Sequence, residues 1–167
     1  MATPFYAKNR STLSAIVLCV MCQRIIMRLT NKISNFDELF TLYESVGLGN
    51  GRTKDDLIKV FSTSKYIISY YDKSNNLIGV GRAFGDELDC AVICDIAVSK
   101  KEQGKGIGTK ILNSLVKMVE HHMRVLLYAE PGKESFYKNN NFHLMKTAMM
   151  TSSKLPLELG RSIGFIE

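Results

Sequence analysis

One stretch carries most of the information about the architecture of this chain: Gln103-Gly104-Lys105-Gly106-Ile107-Gly108. It lies between residues 90–98, an apolar run typical of a strand, and a helix-like run that begins near residue 107. Its alternating glycines leave backbone N–H groups uncovered, and the start of a helix adds unpaired donors and the positive end of the helix dipole. Such a turn binds phosphate oxygens, and a purely structural use of the glycines is the alternative.

Two better-known phosphate-binding loops do not fit the spacing. A Walker A loop has four residues between its first glycine and Gly-Lys-Ser/Thr, and counting from Gly104 places Thr109 where the second glycine is required. A Rossmann fingerprint that starts at Gly104 also meets Thr109 in place of its third glycine. The pattern that remains is Gln-x-x-Gly-x-Gly, from Gln103 to Gly108.

This pattern resembles Arg/Gln-x-x-Gly-x-Gly/Ala, the signature with which the GNAT superfamily of acetyl-CoA-dependent N-acetyltransferases holds the cofactor's pyrophosphate. Downstream, the run from Phe136-Tyr137 to Phe142 resembles the family's Phe-Tyr-x-x-x-Gly-Phe block. Asn141 stands where the family usually has Gly, and both residue types tolerate a positive φ. The resemblance covers roughly residues 25–150. It is closest to small stand-alone amine acetyltransferases, including plant plastid arylalkylamine-type enzymes and their bacterial relatives.

The resemblance implies an α/β fold, a GNAT-like mixed and mainly antiparallel sheet whose central strands are splayed for acetyl-CoA, flanked by about four helices. Hydrophobic periodicity and turn residues predict the elements in more detail. In chain order they are a first strand at 23–29, a hairpin of strands at 65–71 and 77–83, a strand at 90–98, a helix with an apolar stripe at 107–119, a buried strand at 125–129, a short helix at 133–139, and a closing strand or pair at 142–150.

Two further helices precede the hairpin. Asn35 is the predicted N-cap of the first, with Glu38 three residues later as its capping-box partner. Thr53 is the predicted N-cap of the second. The resemblance implies that these helices and their glycine-rich connection form a lid on the acceptor side.

Length and charge limit the class of protein. The chain has 167 residues, enough for one domain with its own core. Its net charge of +6 is uneven, because residues 1–36 contain five Lys and Arg residues and no acid. No basic helix or aromatic-interleaved sheet motif accompanies that charge, so we expect no nucleic-acid binding. The four cysteines show no disulfide framework, and the Cys19–Cys22 pair lacks the partners typical of a metal or redox site.

Three segments are predicted along the chain. Residues 1–24 are an N-terminal extension, residues 25–150 the N-acetyltransferase domain, and residues 151–167 a tail that could pack on that domain. The apolar run at 13–22 is too short to span a bilayer. The acid-free start is interpreted as a cytoplasmic extension, an organelle transit peptide, or an upstream extension before Met27. The cytoplasm is the expected location, with organelle targeting as the alternative.

The resemblance implies which residues hold acetyl-CoA. The backbone at the end of the 90–98 strand would bind the pantetheine arm and offer a donor to the thioester oxygen, and the glycine turn would hold the pyrophosphate. The expected acetyl-CoA-binding residues are Ile96, Ala97, Val98, Gln103, Gly104, Lys105, Gly106, Ile107, Gly108, Thr109, Tyr137 and Lys138. No metal is expected, and His121-His122 is interpreted as a solvated helix C-terminus favoured by the dipole.

Acetyl transfer to an amine needs a proton source for the leaving thiolate and a group that binds or deprotonates the amine. Tyr137 matches the family's frequent general acid, and an aromatic wall beside the cofactor is its alternative role. Some relatives have a Glu at the position of Val92, so Asp95 is the candidate that binds or deprotonates the amine. For Asp95 the alternative is a charge satisfied by local hydrogen bonds. Further acids that could face a cationic amine are Glu87, Asp89 and Glu130.

The sequence therefore predicts an enzyme, an acetyl-CoA-dependent N-acetyltransferase that moves an acetyl group to a primary amine of a small molecule or a protein. The alternative is a non-catalytic acyl-CoA-binding or regulatory GNAT-like module. The expected partners are acetyl-CoA and an amine acceptor, with no transmembrane segment, and a homodimer is one open possibility.

Overall fold

The computed structural model of the protein describes residues 28–49, 51–153 and 156–167. The predicted extension at 1–24 lies outside these residues. The elements follow one another as β1 (Arg28–Thr30), α1 (Phe36–Val46), α2 (Lys54–Ser62), β2 (Tyr66–Tyr71), β3 (Leu77–Gly85), β4 (Cys90–Val98), a 3₁₀ helix (Lys100–Glu102), α3 (Ile107–Val119), β5 (Arg124–Leu127), α4 (Glu134–Lys138) and α5 (Leu157–Ser162).

The five strands form one sheet in the order β1-β2-β3-β4-β5. The first four strands pair antiparallel, and β4 pairs with β5 in parallel. The predicted mixed, mainly antiparallel α/β fold is therefore confirmed. Of the first strand predicted at 23–29, the part that falls on described residues belongs to β1, which pairs with the end of β2.

The central strands separate halfway along β4. Only its first four residues, Cys90 to Ile93, have partners in β5, which ends at Leu127. β4 continues for five more residues to Val98, and no β5 residue pairs with that part. The second half of β4 therefore borders a gap, on the side where the glycine turn follows.

A β-bulge lies in the same half of β4. The register changes between Val80, which faces Ala97, and Arg82, which faces Cys94, so two β4 residues oppose the single residue Gly81. One of the two, Asp95, has a left-handed φ of 52°. A non-glycine residue with positive φ is uncommon, and bulges bend a strand and redirect its side chains. The bulge therefore sets the direction of β4 where it meets the gap.

Two apolar layers cover the sheet. On one face lies the predicted stripe of α3, with Ile107, Ile111, Leu112, Leu115 and Val119 all buried. On the other face α1 and α2 pack against the sheet through Leu39, Leu42, Tyr43, Leu57 and Phe61. Burial of these side chains supplies the main stabilisation of both layers.

The two predicted N-caps are present, and one of them works differently than expected. Thr53 forms a full capping box with Asp56. The Asn35 side chain accepts from the N–H of Asp37, and Glu38 does not complete a capping box. Instead a Glu38 carboxylate oxygen accepts from the N–H of Leu77 at 2.8 Å. The other Glu38 oxygen accepts from the Asn35 side-chain amide at 3.3 Å, so Glu38 contacts the N-cap residue and also joins α1 to the start of β3.

The predicted closing strand at 142–150 is wrong, since these described residues form no strand. The residue pattern at 142–150 is compatible with an edge strand, but a strand needs a neighbour for its backbone hydrogen bonds. In the described residues the sheet ends at β5, and this segment does not pair with it. The tail instead contains α5, so the described residues form five α-helices where about four were expected. An added Cβ on Gly164 would lie 3.5 Å from Pro131, so this end of the chain contacts the segment before α4.

Candidate active site

The glycine turn exposes a set of backbone donors beside the gap. Gly104 and Gly106 have left-handed φ angles of 76° and 77°, and an added Cβ on either residue would meet no atom within 4 Å. Backbone conformation rather than crowding therefore favours glycine here, and the space above both residues is open. Gly106 is the N-cap of α3, which has no side-chain cap and no acidic residue in its first turn. The first N–H groups of α3 are therefore available to an anion.

Gln103 anchors this turn. Its side-chain amide donates to the carbonyl of Val98 at 2.9 Å, and its backbone N–H donates to the carbonyl of Ser99 at 3.1 Å. Ser99 in turn donates its N–H to Ile78 at 2.9 Å. The side chain of Gln103 is therefore directed at the end of β4, so it holds the turn against the strand that borders the gap.

The lysines around the turn differ in their contacts. Lys105 is paired with Glu102 at 3.1 Å, and both belong to the exposed rim before α3. The Nζ of Lys110 lies 3.5 Å from the Tyr70 hydroxyl and 5.8 Å from the centre of its ring. Lys138 lies in the last turn of α4. These cations add positive charge to a turn that already presents N–H donors.

The start of α4 closes the other side of the gap. An added Cβ on Gly108 would lie 3.5 Å from the Phe136 ring and 3.7 Å from Val98, so α3, α4 and the end of β4 meet there. Asn141 has a φ of 65°, the left-handed turn that its position in the motif predicted. The turn brings the N–H of Phe142 to the carbonyl of Tyr137 at 3.1 Å.

Tyr137 is half-buried in an aromatic cluster. Its ring centre lies 5.0 Å from that of Phe136 and 6.2 Å from that of Phe142, both edge-on. Burial is the main cause that raises the pKa of the Tyr137 hydroxyl above its ordinary value, with smaller contributions from Glu130 and Cys94. The phenol therefore stays protonated at neutral pH. Tyr137 also packs against the apolar core that includes Ala91 and Ile93 of β4.

Asp95 is ion-paired. One carboxylate oxygen accepts from the Nε of Arg82 at 2.6 Å, and Arg52 approaches the same oxygen at 3.5 Å. The side chains of Asp95 and Arg82 are each 12% exposed, and that of Arg52, in the connection from α1 to α2, is 34% exposed. Arg82 also donates to the Ser64 hydroxyl at 3.2 Å. Two guanidinium groups thus compensate the charge of one carboxylate. Arg82 is held at hydrogen-bonding distance, and Arg52 is a looser partner.

Tyr43 belongs to the same region. Its hydroxyl is buried and has no hydrogen-bond partner among the described residues. Burial raises its pKa far above the ordinary phenol value, and the charge of Asp95 raises it further. The sequence alone does not identify Tyr43, Arg52 or Arg82 as residues of this site. One feature of the sequence could have pointed to Arg82: it is a charged residue inside an otherwise apolar strand, and a buried charge needs a partner.

The remaining acids are divided between the two ends of β4. Glu87 and Asp89 lie before its first residue, at the end opposite the glycine turn, whereas Glu130 follows β5 and its charge contributes to the raised pKa of Tyr137. The interpretation of His121-His122 as solvated is wrong for His122. This side chain is 5% exposed, and both of its ring nitrogens are hydrogen-bonded.

The Acetyltransferase (GNAT) family model matches residues 36–142, from the start of α1 to the turn after α4. This chain belongs to the GNAT family. Over 76% of its length it is 32% identical to the uncharacterized N-acetyltransferase ycf52 of Pyropia yezoensis, of which it covers 78%. It is 26% identical to GCN5-related N-acetyltransferase 1, chloroplastic, of Arabidopsis thaliana over 70% of this chain, and covers 60% of that protein.

A solved structure supports the assignment of this GNAT chain. A probable acetyltransferase from meticillin-resistant Staphylococcus aureus matches with a TM-score of 0.66 at 25% identity, over 76% of this chain and 99% of that chain. GNAT proteins as a class use acetyl-CoA with an acceptor. Within the described ranges, no helix combines the length and the apolar composition that a membrane crossing requires.

Proposed function

We propose that this protein transfers the acetyl group of acetyl-CoA to a primary amine. The observation that supports this most directly is the adjacency of the gap beside β4 to the uncapped start of α3. A long ligand with a pyrophosphate at one end and a thioester at the other fits such a site. Its anionic part needs N–H donors with open space above them, and Gly104 and Gly106 provide that space.

The residues of the turn and of β4 would divide the binding of acetyl-CoA. The N–H groups around Gly106 and Gly108, with Ile107 and Thr109, would hold the pyrophosphate, and Lys105 and Lys138 would add charge at the rim. The backbone of Ile96, Ala97 and Val98 would bind the pantetheine arm. On the gap side, the N–H and C=O groups of these three residues are not paired with β5. Gln103 would act by holding Val98 in place.

Tyr137 is the proposed proton donor. As the bond from the amine nitrogen to the acetyl carbon forms, the carbon–sulfur bond breaks, and the phenol gives its proton to the leaving sulfur. The ammonium acceptor loses two protons in all: one goes to solvent before the attack, and the second leaves the nitrogen after the attack and, through solvent, restores the proton of Tyr137. The raised pKa of Tyr137 supports this role, because the hydroxyl carries its proton throughout the neutral range.

Asp95 is proposed to anchor the acceptor's ammonium group. Its carboxylate lies on the bulge that borders the gap, and Arg82 holds it in one orientation. The more exposed Arg52 approaches the same oxygen only loosely, at 3.5 Å. An incoming ammonium could therefore replace Arg52 next to Asp95 without breaking the buried pair. Because its charge is already compensated, Asp95 suits binding of the amine better than proton abstraction.

The experiment that tests this function measures thiol release from acetyl-CoA with a panel of amines, including arylalkylamines, polyamines and lysine peptides. We expect at least one amine to give turnover that Tyr137→Phe strongly reduces. Calorimetric binding of acetyl-CoA to the same preparation is the control. Binding without release across the panel would contradict the enzyme assignment.

The second candidate is a non-catalytic acyl-CoA-binding module. Two observations favour it: Val92 stands where some relatives have a Glu, and Asp95 is ion-paired. The two candidates share the glycine turn, so both predict acetyl-CoA binding that a change at Gly106 removes. Only the enzyme predicts thiol release, and the amine panel therefore separates them.

We also propose an organelle as the location, in place of the expected cytoplasm. The relative from Arabidopsis thaliana is named chloroplastic. Residues 1–36 of this chain contain no acidic residue, and transit peptides are commonly poor in acidic residues. Fluorescent fusions of the full chain and of a chain that begins at Met27 test this. Organelle signal from the full chain alone supports targeting, and the same diffuse signal from both contradicts it.

A further inference from the structure

A second group of chemically active side chains lies at the far end of β4 from the glycine turn. Glu87 precedes β4, and His121 and His122 follow α3, whose 13 residues separate them from the turn by about 20 Å. The imidazole rings lie 4.1 Å apart, centre to centre. The ligand atoms that the three residues offer all lie within 4.8 Å of one another.

His122 is prepared as a metal ligand. Its Nδ1 lies 2.9 Å from the carbonyl of Val119, which can only accept, so Nδ1 carries the proton. Its Nε2 therefore presents a lone pair, which now accepts from the backbone N–H of Glu87 at 3.1 Å. A ring N–H fixed by a carbonyl, with the other nitrogen unprotonated, is the usual arrangement of histidines that bind metals.

Glu87 is oriented toward the same point. The Tyr66 hydroxyl donates to its two carboxylate oxygens at 2.8 and 3.0 Å. The Nε2 of His121 lies 3.9 Å from the carboxylate. Lys65 forms an ion pair with the same group. A cation therefore already contacts this carboxylate.

We propose that Glu87, His121 and His122 form a binding site for a divalent transition-metal ion of the zinc type. Two donors on one zinc ion at about 2.1 Å lie at most about 4.2 Å apart, so small rotations of the exposed Glu87 and His121 side chains suffice. The Lys65 side chain is 57% exposed and would move into solvent. Metal binding would also require a shift of the backbone at Glu87, so that its N–H leaves His122 and bonds to water. Three protein ligands leave a fourth position for water.

The ligand set selects among metals. Two imidazoles and one carboxylate suit zinc, copper or nickel, whereas magnesium and calcium prefer oxygen ligands alone. The site does not use the acetyl-CoA gap, which lies at the other end of α3. Metal binding is therefore expected to stabilise this end of the sheet and is independent of the proposed acetyl transfer.

The test is a calorimetric titration of Zn²⁺ into the full chain, stripped with chelator, with Cys19→Ser and Cys22→Ser in place to remove a competing thiol pair. We expect one ion per chain. His121→Ala and Glu87→Gln should each raise the Kd for Zn²⁺ at least about tenfold. Lys65→Met should lower it about threefold, because it removes the competing cation.

His143→Ala is the matched control, since it removes the third histidine of the chain at an exposed site and should leave the Kd unchanged. Circular dichroism checks that each variant folds. If the serine background fails to fold, the natural chain is compared in its His121→Ala and His143→Ala forms, where thiol binding contributes equally. Absence of Zn²⁺ binding, or the same Kd in these two variants, would overturn the proposal.

Discussion

The two halves of β4 are both mainly apolar in sequence, but they differ in the strands that pair with them. The first half, Cys90 to Ile93, is paired on both sides, by β3 and by β5. The second half has β3 on one side and the gap on the other, and it contains the bulge with the left-handed Asp95. The irregular half meets the glycine turn and Tyr137, so candidate function is concentrated where the sheet's own hydrogen bonding stops.

The largest expected effect comes from breaking the site beside the irregular half. A β-branched residue tolerates a φ of 77° poorly, so Gly106→Val should distort the turn that presents the N–H donors. We expect the Kd for acetyl-CoA, measured by calorimetry, to rise about a hundredfold or more, since charge-assisted hydrogen bonds are lost.

Gly108→Ala is the control for that change. An alanine Cβ there would make ordinary contacts at 3.5 Å or more, and the motif that the turn resembles accepts alanine at this position. It should bind acetyl-CoA almost normally. A folded Gly106→Val protein with unchanged affinity would refute the assignment of the turn.

The second effect separates chemistry from binding. Tyr137→Phe removes one hydroxyl and keeps the ring packed between Phe136 and Phe142. We expect kcat to fall by roughly tenfold to a thousandfold, the usual size of an acid–base contribution, with little change in KM for acetyl-CoA. A kcat close to normal, under conditions where chemistry limits the rate, would leave Tyr137 as an aromatic wall only.

A smaller effect concerns the acceptor. If the acceptor's ammonium replaces Arg52 beside Asp95, Arg52→Gln removes a competitor, and KM for the amine should fall about twofold to fivefold with kcat unchanged. Lys54→Gln is matched to it, because Lys54 is a nearby cation paired with Asp37 rather than with Asp95. A rise in KM would instead mean that Arg52 binds an anionic part of the acceptor.

The smallest effect is expected at the regular half, where a change should affect stability alone. One Asp86 oxygen accepts from the N–H groups of Leu88, Asp89 and Cys90 at 2.8 to 3.0 Å. Asp86→Ala should lower Tm by about 3 °C and leave kcat unchanged. Asp89→Ala removes the same charge from the same turn and is the control. A loss of activity in folded Asp86→Ala would contradict the division of β4 into two halves.

The pH dependence of that variant follows from the same bonds. The N–H of Leu88, and then that of Cys90, hold the pKa of Asp86 below its ordinary value of about 4. A carboxylate with a lowered pKa stabilises the fold above that value, and its contribution is lost as the pH falls through the folded pKa. The Tm difference between the natural chain and Asp86→Ala should therefore disappear in acid.

The features that the sequence predicted are local. The left-handed glycine turn, the cap at Thr53 and the stripe of α3 each depend on residues a few positions apart. The strand predicted at 142–150 failed because a strand also needs a neighbour, which its own residues do not supply. For the same reason the sequence assigned Glu38 to its own helix alone, whereas one of its carboxylate oxygens accepts from the distant N–H of Leu77.

The partners of Asp95 could not be predicted because they come from distant parts of the chain. Arg82 reaches Asp95 across the β3–β4 register, and that register contains a bulge which no residue pattern indicated. Arg52 arrives from the connection between α1 and α2. The burial of His122 depends in the same way on the turn at Glu87, to which its ring is hydrogen-bonded.

Gly81 gives the bulge a consequence for the length of the ligand. It lies opposite the bulge and beneath α3, where an added Cβ would come within 2.8 Å of Ile111 and 2.9 Å of Leu115. A side chain there would press on these two residues, so its absence lets α3 pack close to the sheet opposite the bulge. Under the proposed function, this close packing sets the distance between the turn that would hold the pyrophosphate and the bulge where the acyl group would lie. A ligand much shorter or longer than that distance would not reach both places at once.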